Sequence, residues 1–311
     1  MTSLVCAFLL DLAIGDPVYA WHPVRLMGWA IEKGEKILRQ IVSQERWAGG
    51  ILAAGLPVLT FSLAWGLIAL AERIDFALAW ALQVLGIYTA VSIQDLRGEA
   101  LRIHEDLKQG DLPKARQDLG RIVGRDTEAL PAPEMIRGTV ETVAESTVDG
   151  IIAPLFYAAL GGAPLALAYK AVNTLDSMIG HLNDRYRDFG FVAAKLDELW
   201  SWLPARLSWP VTAFAAFCLN QKAEASFAHG WQDGILHGRS NGDIPEASFA
   251  GALSLRLGGP SVYQGRVVEK PFLGTARKDF EPEDILRSVK LMMWVSWIFL
   301  GIAVLVHRLW N

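Results

Sequence analysis

Near the middle of the chain three carboxylates recur at helical spacing: Glu141, Glu145 and Asp149 stand at i, i+4 and i+8. On an α-helix that spacing stacks them on one face, where like charges repel by roughly 0.2–0.5 kcal/mol per pair. A cation relieves the repulsion. Magnesium suits such a place, because it takes oxygen ligands and often uses only one or two protein carboxylates together with substrate phosphates. Two plainer readings stand beside it: a solvated acidic face, or a salt bridge from Glu141 to Arg137, four residues upstream.

A second polar cluster follows the apolar run Ile151–Val172. It contains Asn173 and Asp176, spaced to share a helix face, and then His181, Asn183, Asp184, Arg185, Arg187 and Asp188. Polar groups at a membrane edge mark a functional site by default. Arginines there can clamp phosphate or carboxylate groups in bidentate fashion, or serve as interfacial anchors and caps. His181, alone at an apolar edge, reads as a hydrogen-bonded structural residue. Two smaller groups have the right residue types: Asp11, Asp16, His22 and Arg25 in DLAIGDPVYAWHPVR, and the turn Gly124-Arg125-Asp126-Thr127, able to cap a helix or to hold a phosphate. The sequence has no G-x-x-x-x-G-K-[ST] loop, G-x-G-x-x-G fingerprint, G-x-S-x-G elbow or H-E-x-x-H pair, so common nucleotide folds and hydrolases gain no support.

The elements that must position these residues are apolar. Of 311 residues 52% are hydrophobic and 12 are tryptophan, above the ~45–50% usual for soluble domains. The reading is an all-α integral membrane protein forming one membrane-embedded domain, a helical bundle with about four to six transmembrane or re-entrant segments. Apolar runs fall at 4–14, 49–71, 76–93, 151–172, 200–219 and 291–309. The first is too short to cross ~30 Å of hydrocarbon unaided and lacks the marks of a cleaved signal peptide. Pro154, Gly161-Gly162 and Pro164 interrupt the fourth, and Pro204 and Pro210 the fifth. Between these runs lie an amphipathic helix from Pro23, with Leu26, Trp29, Ile37 and Ile41 opposite Lys33, Lys36 and Arg39, and a soluble αα-hairpin over 95–125 broken at Gly110-Asp111. A polar region over 221–290 carries a short β-hairpin near 261–269. A formal charge of −4 with interspersed signs gives no basic surface for nucleic acid, and Cys6 and Cys218 lack the spacing of a metal or redox pair.

If all six runs cross, the segments 16–48, 95–150 and 221–290 share one side and carry 22 of the 29 Lys and Arg, which makes that side cytoplasmic. The same count puts Arg185, Arg187 and Lys195 outside. If 151–172 and 200–219 instead dip in and return, 173–199 comes back to the cytoplasm, and a protein-lined or wet cavity must shelter their irregular backbone.

Several long stretches together resemble one family. DLAIGDP with WHPVRLMG, IVGRDT, VETVAESTVDGIIAPLFYAALGGAPLALAYKAVNTLDSMIGH, NDRYRDFG with AAKLDELWSWLPARL, and EASFAGALSLRLGGPSVYQG, in this order, are similar to the CobD/CbiB family, the membrane-bound adenosylcobinamide-phosphate synthases of cobalamin biosynthesis. Ser146 stands where the family pattern has asparagine, HGRSNGD replaces a Ser-Pro-Asn type of turn, and His181 takes the place of an aromatic residue. The resemblance implies an ATP- and magnesium-dependent ligase that joins adenosylcobyric acid to (R)-1-aminopropan-2-ol phosphate, or to a related aminoalcohol, through an acyl phosphate. It implies a multi-pass protein of the bacterial plasma membrane with a cytoplasmic site. The corrinoid is then a substrate rather than a prosthetic group, packed against tryptophans such as Trp200 and Trp202, and other enzymes of the pathway are potential partners. Under this reading Glu145, Asp149 and Asp176 hold magnesium and phosphates, Asn173 and Asn183 orient the reacting groups, and Arg125, Arg185 and Arg187 bind the triphosphate or the aminoalcohol phosphate. Asp16, His22 and Arg25 close the site. A transporter or a non-catalytic scaffold or sensor is the competing class; the chain lacks the internal repeat many transporters show, and a scaffold needs no clustered acids.

Overall fold

The computed structural model describes residues 2–16, 21–181, 183–276 and 278–310, with Trp310 by its backbone alone. Pro17, the last residue of the DLAIGDP stretch, lies outside them. The protein is a helical membrane protein with one small antiparallel hairpin. Four helical runs, Glu45–Ile74, Phe76–Gln109, Ala132–Ile179 and Glu283–Leu309, are long and apolar enough to cross a membrane. Large apolar side chains on the first of these, among them Leu59, Trp65 and Leu67, face outward, as a lipid-facing surface does.

The chain forms two compact units. Unit 1 comprises residues 1–92, 149–202 and 300–311. In it α1 (Thr2–Ile14), α2 (Pro23–Ile41), α3 (Glu45–Ile74), α4 (Phe76–Tyr88) and α8 (Ala153–Ile179) pack on one another. Pro23 opens α2 without loss, since a first-turn N–H has no intrahelical partner. The face that α2 buries is Met27, Ile31 and Glu35, while Leu26, Trp29, Ile37 and Ile41 are exposed, the pattern of a helix that lays an apolar side on a membrane interface.

The run read as interrupted at 151–172 is broken where the sequence places it. A π-helical turn over Val148–Ile152 precedes α8, and Gly150 accepts a hydrogen bond from the Ser92 backbone at 3.0 Å. Pro154 then occupies the first turn of α8. At Gly161 and Gly162 the helix loses its geometry; Gly162 has φ +64 and ψ −158, open mainly to glycine. The backbone N–H of Ala163, freed by the break, donates to Gln83 Oε1 at 2.8 Å. An amide buried without a partner would be costly in an apolar surrounding, and Gln83 supplies the acceptor.

The fifth run differs from expectation. Pro204 and Pro210 do not interrupt it: α9 is helical throughout Phe191–Cys218. A proline removes one ladder bond, leaving the carbonyl four residues earlier without its donor. For Pro204 that carbonyl belongs to Trp200, and the Tyr157 hydroxyl donates to it at 2.8 Å.

Unit 2 comprises residues 93–148 and 203–299. Helices α5 (Ile93–Gln109) and α6 (Leu112–Leu119) form the expected hairpin, turned by Gly110 at φ +77 and capped by Asp111, whose carboxylate accepts from Lys114 N at 3.2 Å. They pack with α7 (Ala132–Thr147). Helix α10 (Ala223–His229), a second π-helical turn over Gly230–Leu236 and the wholly buried α11 (Asp243–Leu253) pack together, and α12 (Glu283–Trp310) ends the chain. Strands β1 (Leu257–Tyr263) and β2 (Arg266–Leu273) pair antiparallel through Gln264 and Gly265, both at positive φ as a two-residue primed turn requires. Asp126 fixes that turn by accepting from Gln264 N at 3.0 Å and Gly265 N at 2.8 Å. The Gly124–Thr127 turn therefore clamps the hairpin.

Candidate functional site

Unit 1 gathers polar groups around one face of α8. Lys170, Asn173 and Asp176 succeed one another at spacings of three residues, and Tyr169 stands four before Asn173, which makes Asn173 the neighbour of both Tyr169 and Lys170 on the helix surface. The Tyr169 hydroxyl lies 3.5 Å from Asp149 Oδ1, and Asn173 Nδ2 lies 3.5 Å from Asp197 Oδ1 on α9. The Lys170 ammonium feels the carboxylates of Asp149, Asp16 and Asp197, but forms no hydrogen bond or close ion pair among the described residues. An aromatic stack flanks the cluster: Tyr157 lies nearly parallel to Tyr169 with centroids 5.2 Å apart, and Trp200 tilts onto Tyr157 at 5.0 Å. His22 pairs with Asp16 at 2.8 Å.

Unit 2 holds a second charged cluster. Glu141 on α7 is buried; its Oε1 accepts from the Gly258 backbone at 2.8 Å, its Oε2 from Arg125, and Arg137 stands 3.8 Å away. Glu145 lies against Gly242, where a Cβ would sit 3.2 Å from its Oε1. Glu246 on α11 is buried, and its carboxyl group forms no hydrogen bond among the described residues. Burial holds its carboxyl well above the usual carboxylate range, the like charges of Glu141 and Glu145 add to this, and Lys270 opposes it. At Lys270 burial works against the charge, and Glu246 leads the groups that outweigh it and hold the ammonium above its ordinary value.

Asp149, Asn173 and Asp176 belong to unit 1, with Asp176 against Gly180 at the end of α8; Glu145 belongs to unit 2. Arg125 is committed to Glu141, and Asp16 to His22. Arg185 pairs with Glu35 at 3.0 Å, the same carboxylate that holds Arg39. Asn183 caps a turn, its Oδ1 accepting from Tyr186 N at 3.0 Å. Arg25 and Arg187 are exposed. Trp200 joins the aromatic stack, and Trp202 is half exposed.

Sequence reasoning passed over Lys170, Tyr169, Asp197, Glu246 and Lys270. For Lys170 a signal existed: a lysine inside an apolar run is itself a functional marker. The others have none, because tertiary contact alone brings them to their clusters. As for magnesium, no group of three or more His, Cys, Asp or Glu able to hold a metal occurs among the described residues. The oxygen donors of Asp149, Asp197 and Asn173 fit the ion only in its substrate-linked form, with one or two protein carboxylates and the remaining positions filled by phosphate and water.

The comparisons with known proteins agree with the motif pattern. The family model for the CobD/CbiB protein matches residues 4–292. The chain is 45% identical over 293 residues to the cobalamin biosynthesis protein CobD of Klebsiella pneumoniae, covering 93% of this chain and 92% of that one. It is 44% identical over 313 residues to the protein of the same name from Photorhabdus laumondii, covering 99% and 98%. It is 43% identical over 293 residues to the cobalamin biosynthesis protein CbiB of Salmonella paratyphi B, covering 93% and 92%. No solved structure matches the chain significantly. With a family model spanning nearly all of it and relatives of this identity matched almost end to end, the chain belongs to the CobD/CbiB family of cobalamin biosynthesis proteins.

Proposed function

We propose that this protein is an ATP-dependent carbon–nitrogen ligase of the bacterial plasma membrane, joining a propionate carboxyl of adenosylcobyric acid to the amino group of (R)-1-aminopropan-2-ol phosphate or a related aminoalcohol, with its site on the cytoplasmic side. The observation that carries the reading is the unit 1 cluster, in which a lysine without a close ion pair and the oxygen donors Asp149, Asn173 and Asp197 gather beside the Trp200–Tyr157–Tyr169 stack.

A carboxylate is a poor acyl donor at neutral pH. In the proposed reaction a carboxylate oxygen of the corrinoid attacks the terminal phosphorus of ATP, the bond to ADP breaks, and an acyl phosphate forms. The amine, its ammonium proton released to water, then attacks the acyl carbon; the carbon–oxygen bond breaks, phosphate departs, and the nitrogen gives a second proton to water as the amide forms. Lys170 places a positive charge where the acyl phosphate and the tetrahedral oxyanion need one, worth most in a water-poor site. Asn173, positioned by Asp197, orients the carbonyl, and Asp149 holds the incoming ammonium before it is deprotonated and would supply an oxygen ligand to a bound metal. Asp176 stays in the proposal as a further oxygen ligand. Arg185 and Arg187 are proposed contacts for phosphate, while Asp16, His22 and Arg25 order the approach to the site and Asn183 its far rim. Magnesium, when bound, neutralises charge on the transferring phosphoryl oxygens. The exposed indole of Trp202 offers apolar area to the corrin ring, and other enzymes of the pathway are proposed to deliver or collect the corrinoid.

Purified protein supplied with ATP, magnesium, adenosylcobyric acid and aminopropanol phosphate should release phosphate and yield the amide in equal amounts. Absence of turnover where a reference synthase works would sink the ligase reading.

A further inference from the structure

Unit 2 has a charged hollow of about 410 Å³ where the chain leaving α9, the end of α11 and the start of α12 meet; Lys222, Lys278, Glu281 and Arg287 line it together with Leu253 and Ser254. Asn220, at φ +52, turns the chain out of α9, and the Lys222 backbone N–H donates to Ala252 O at 3.3 Å, which fixes this lysine at the hollow. The carboxylates there are already engaged. Asp284 holds Lys278, and Arg287 Nη1 donates to Asp284 Oδ1 at 2.7 Å and to Glu281 Oε2 at 3.3 Å. Arg287 is nonetheless exposed, and its Nε and Nη2 donors have no acceptor among the described residues. Lys222 is exposed too and has no carboxylate partner among them.

Arg287 also begins a stripe on α12. Arg287, Lys290, Trp294 and Trp297 stand at i, i+3, i+7 and i+10, which sets them along one helix face, and all four are exposed. Lys290, like Lys222, has no carboxylate partner among the described residues. The helix is long and apolar enough to cross a membrane, and from Arg287 to Trp294 it rises ~10 Å. Cations first and tryptophans one or two turns deeper is the order of groups at a lipid–water boundary, where indoles lie at the interface and long basic side chains reach the phosphates. Phe214 and Phe217 are likewise exposed in the last turns of α9, just before the hollow. We propose that the hollow seats the headgroup of an anionic phospholipid, its phosphate between Lys222 and the Nε and Nη2 donors of Arg287, its acyl chains along Trp294 and Trp297. A basic hollow at the end of a spanning helix recognises such a headgroup, whereas a zwitterionic one brings a cation that Lys222 and Lys290 repel. A soluble phosphate would make no use of the tryptophan stripe.

The test is native mass spectrometry of the full-length protein in detergent, titrated with dioleoyl phosphatidylglycerol, with the phosphatidylcholine of the same chains, and with glycerol phosphate as competitor. The wild-type protein should retain one phosphatidylglycerol at roughly tenfold lower concentration than phosphatidylcholine. Lys222→Gln and Lys290→Gln should each weaken that retention roughly fivefold, the worth of one cation beside an anionic headgroup. Glu281→Gln removes the opposing carboxylate and should strengthen retention, which misfolding cannot do. Equal retention of the two lipids overturns the proposal, and so does phosphatidylglycerol binding that neither lysine variant alters, since the lipid then sits elsewhere. Glycerol phosphate competing as well as the lipid would mean a site for soluble phosphate and would overturn it equally.

Discussion

Glu141 and Asp149 stand eight residues apart in the same acidic series, and the protein treats them differently. In unit 2, Glu141 accepts from Arg125 and from the Gly258 backbone, with Arg137 close by. In unit 1, Asp149 lies 3.5 Å from a tyrosine hydroxyl and beside a lysine that forms no close ion pair among the described residues. A buried carboxylate bonded on both oxygens to fixed protein donors has little left to offer a substrate. A cluster in which an ammonium still lacks a close anion offers its charge to whatever arrives. The lesson is that one spacing, i, i+4, i+8, produced a structural ion pair at its first position and a candidate reactive group at its last.

That contrast can be broken by experiment. The largest effect should come from Glu141→Gln, which leaves the Arg125 guanidinium buried without its anion. Breaking such a pair costs about 3–5 kcal/mol, so unfolding in detergent should shift strongly, with Arg137→Lys less affected because its pairing to Glu141 is longer. A Glu141→Gln protein of wild-type stability that has lost turnover would move Glu141 into the chemistry and erase the distinction. Next in size, Lys170→Met and Asp149→Asn should each lower kcat by roughly 10²–10³, the effect of removing one charge-stabilising group, with little change in unfolding. Full turnover in Lys170→Met would withdraw unit 1 as the reactive cluster.

A smaller effect is expected at the break in α8. Gln83→Leu removes the acceptor of the Ala163 N–H and should cost about 1–3 kcal/mol in unfolding, while leaving kcat within a few-fold. If Gln83→Leu instead abolishes activity at wild-type stability, the break belongs to the mechanism rather than to the architecture.

How much of this was legible in the sequence depends on the range of the interaction. The Gly161-Gly162 break, the αα-hairpin at Gly110 and the Gln264-Gly265 turn were readable because backbone conformation at glycine is a local matter. The continuity of α9 through Pro204 was not: it depends on Tyr157, far away in sequence, donating to the carbonyl that the proline leaves bare. The same reason separates the site residues. Glu141 and Arg137 are four apart on a helix and their pairing was foreseeable, but Arg125 as the closer partner required the 124–127 turn to fold back onto α7, and the action of Glu141 and Glu145 on Glu246 required the packing of α7 against α11. Burial decided the rest, since spacing alone cannot tell an acid that meets Lys170 from one that meets solvent.

The finest distinction within unit 2 is between Glu141, whose carboxylate is paired, and Glu246, whose carboxyl group forms no hydrogen bond among the described residues. The groups that act on Glu246 are Glu141, Glu145 and Asp243, all of its own sign, and Lys270, which opposes them. With burial leading, the folded protein keeps the Glu246 proton above the pH at which an unfolded chain releases it. In that window the unfolded state binds fewer protons, so stability from this group is fully present below the ordinary carboxylate range and is lost as pH rises through the raised folded value. Glu246→Gln has no proton to lose. Its melting temperature relative to wild type should therefore climb between pH 5 and pH 8, by roughly 2–4 °C for each kcal/mol gained. Thermal unfolding of both proteins in detergent across that range measures it. A difference that stays constant with pH would mean that Glu246 is already ionised in the folded state with Lys270 as its counter-ion, and unit 2 would then hold two satisfied pairs rather than one.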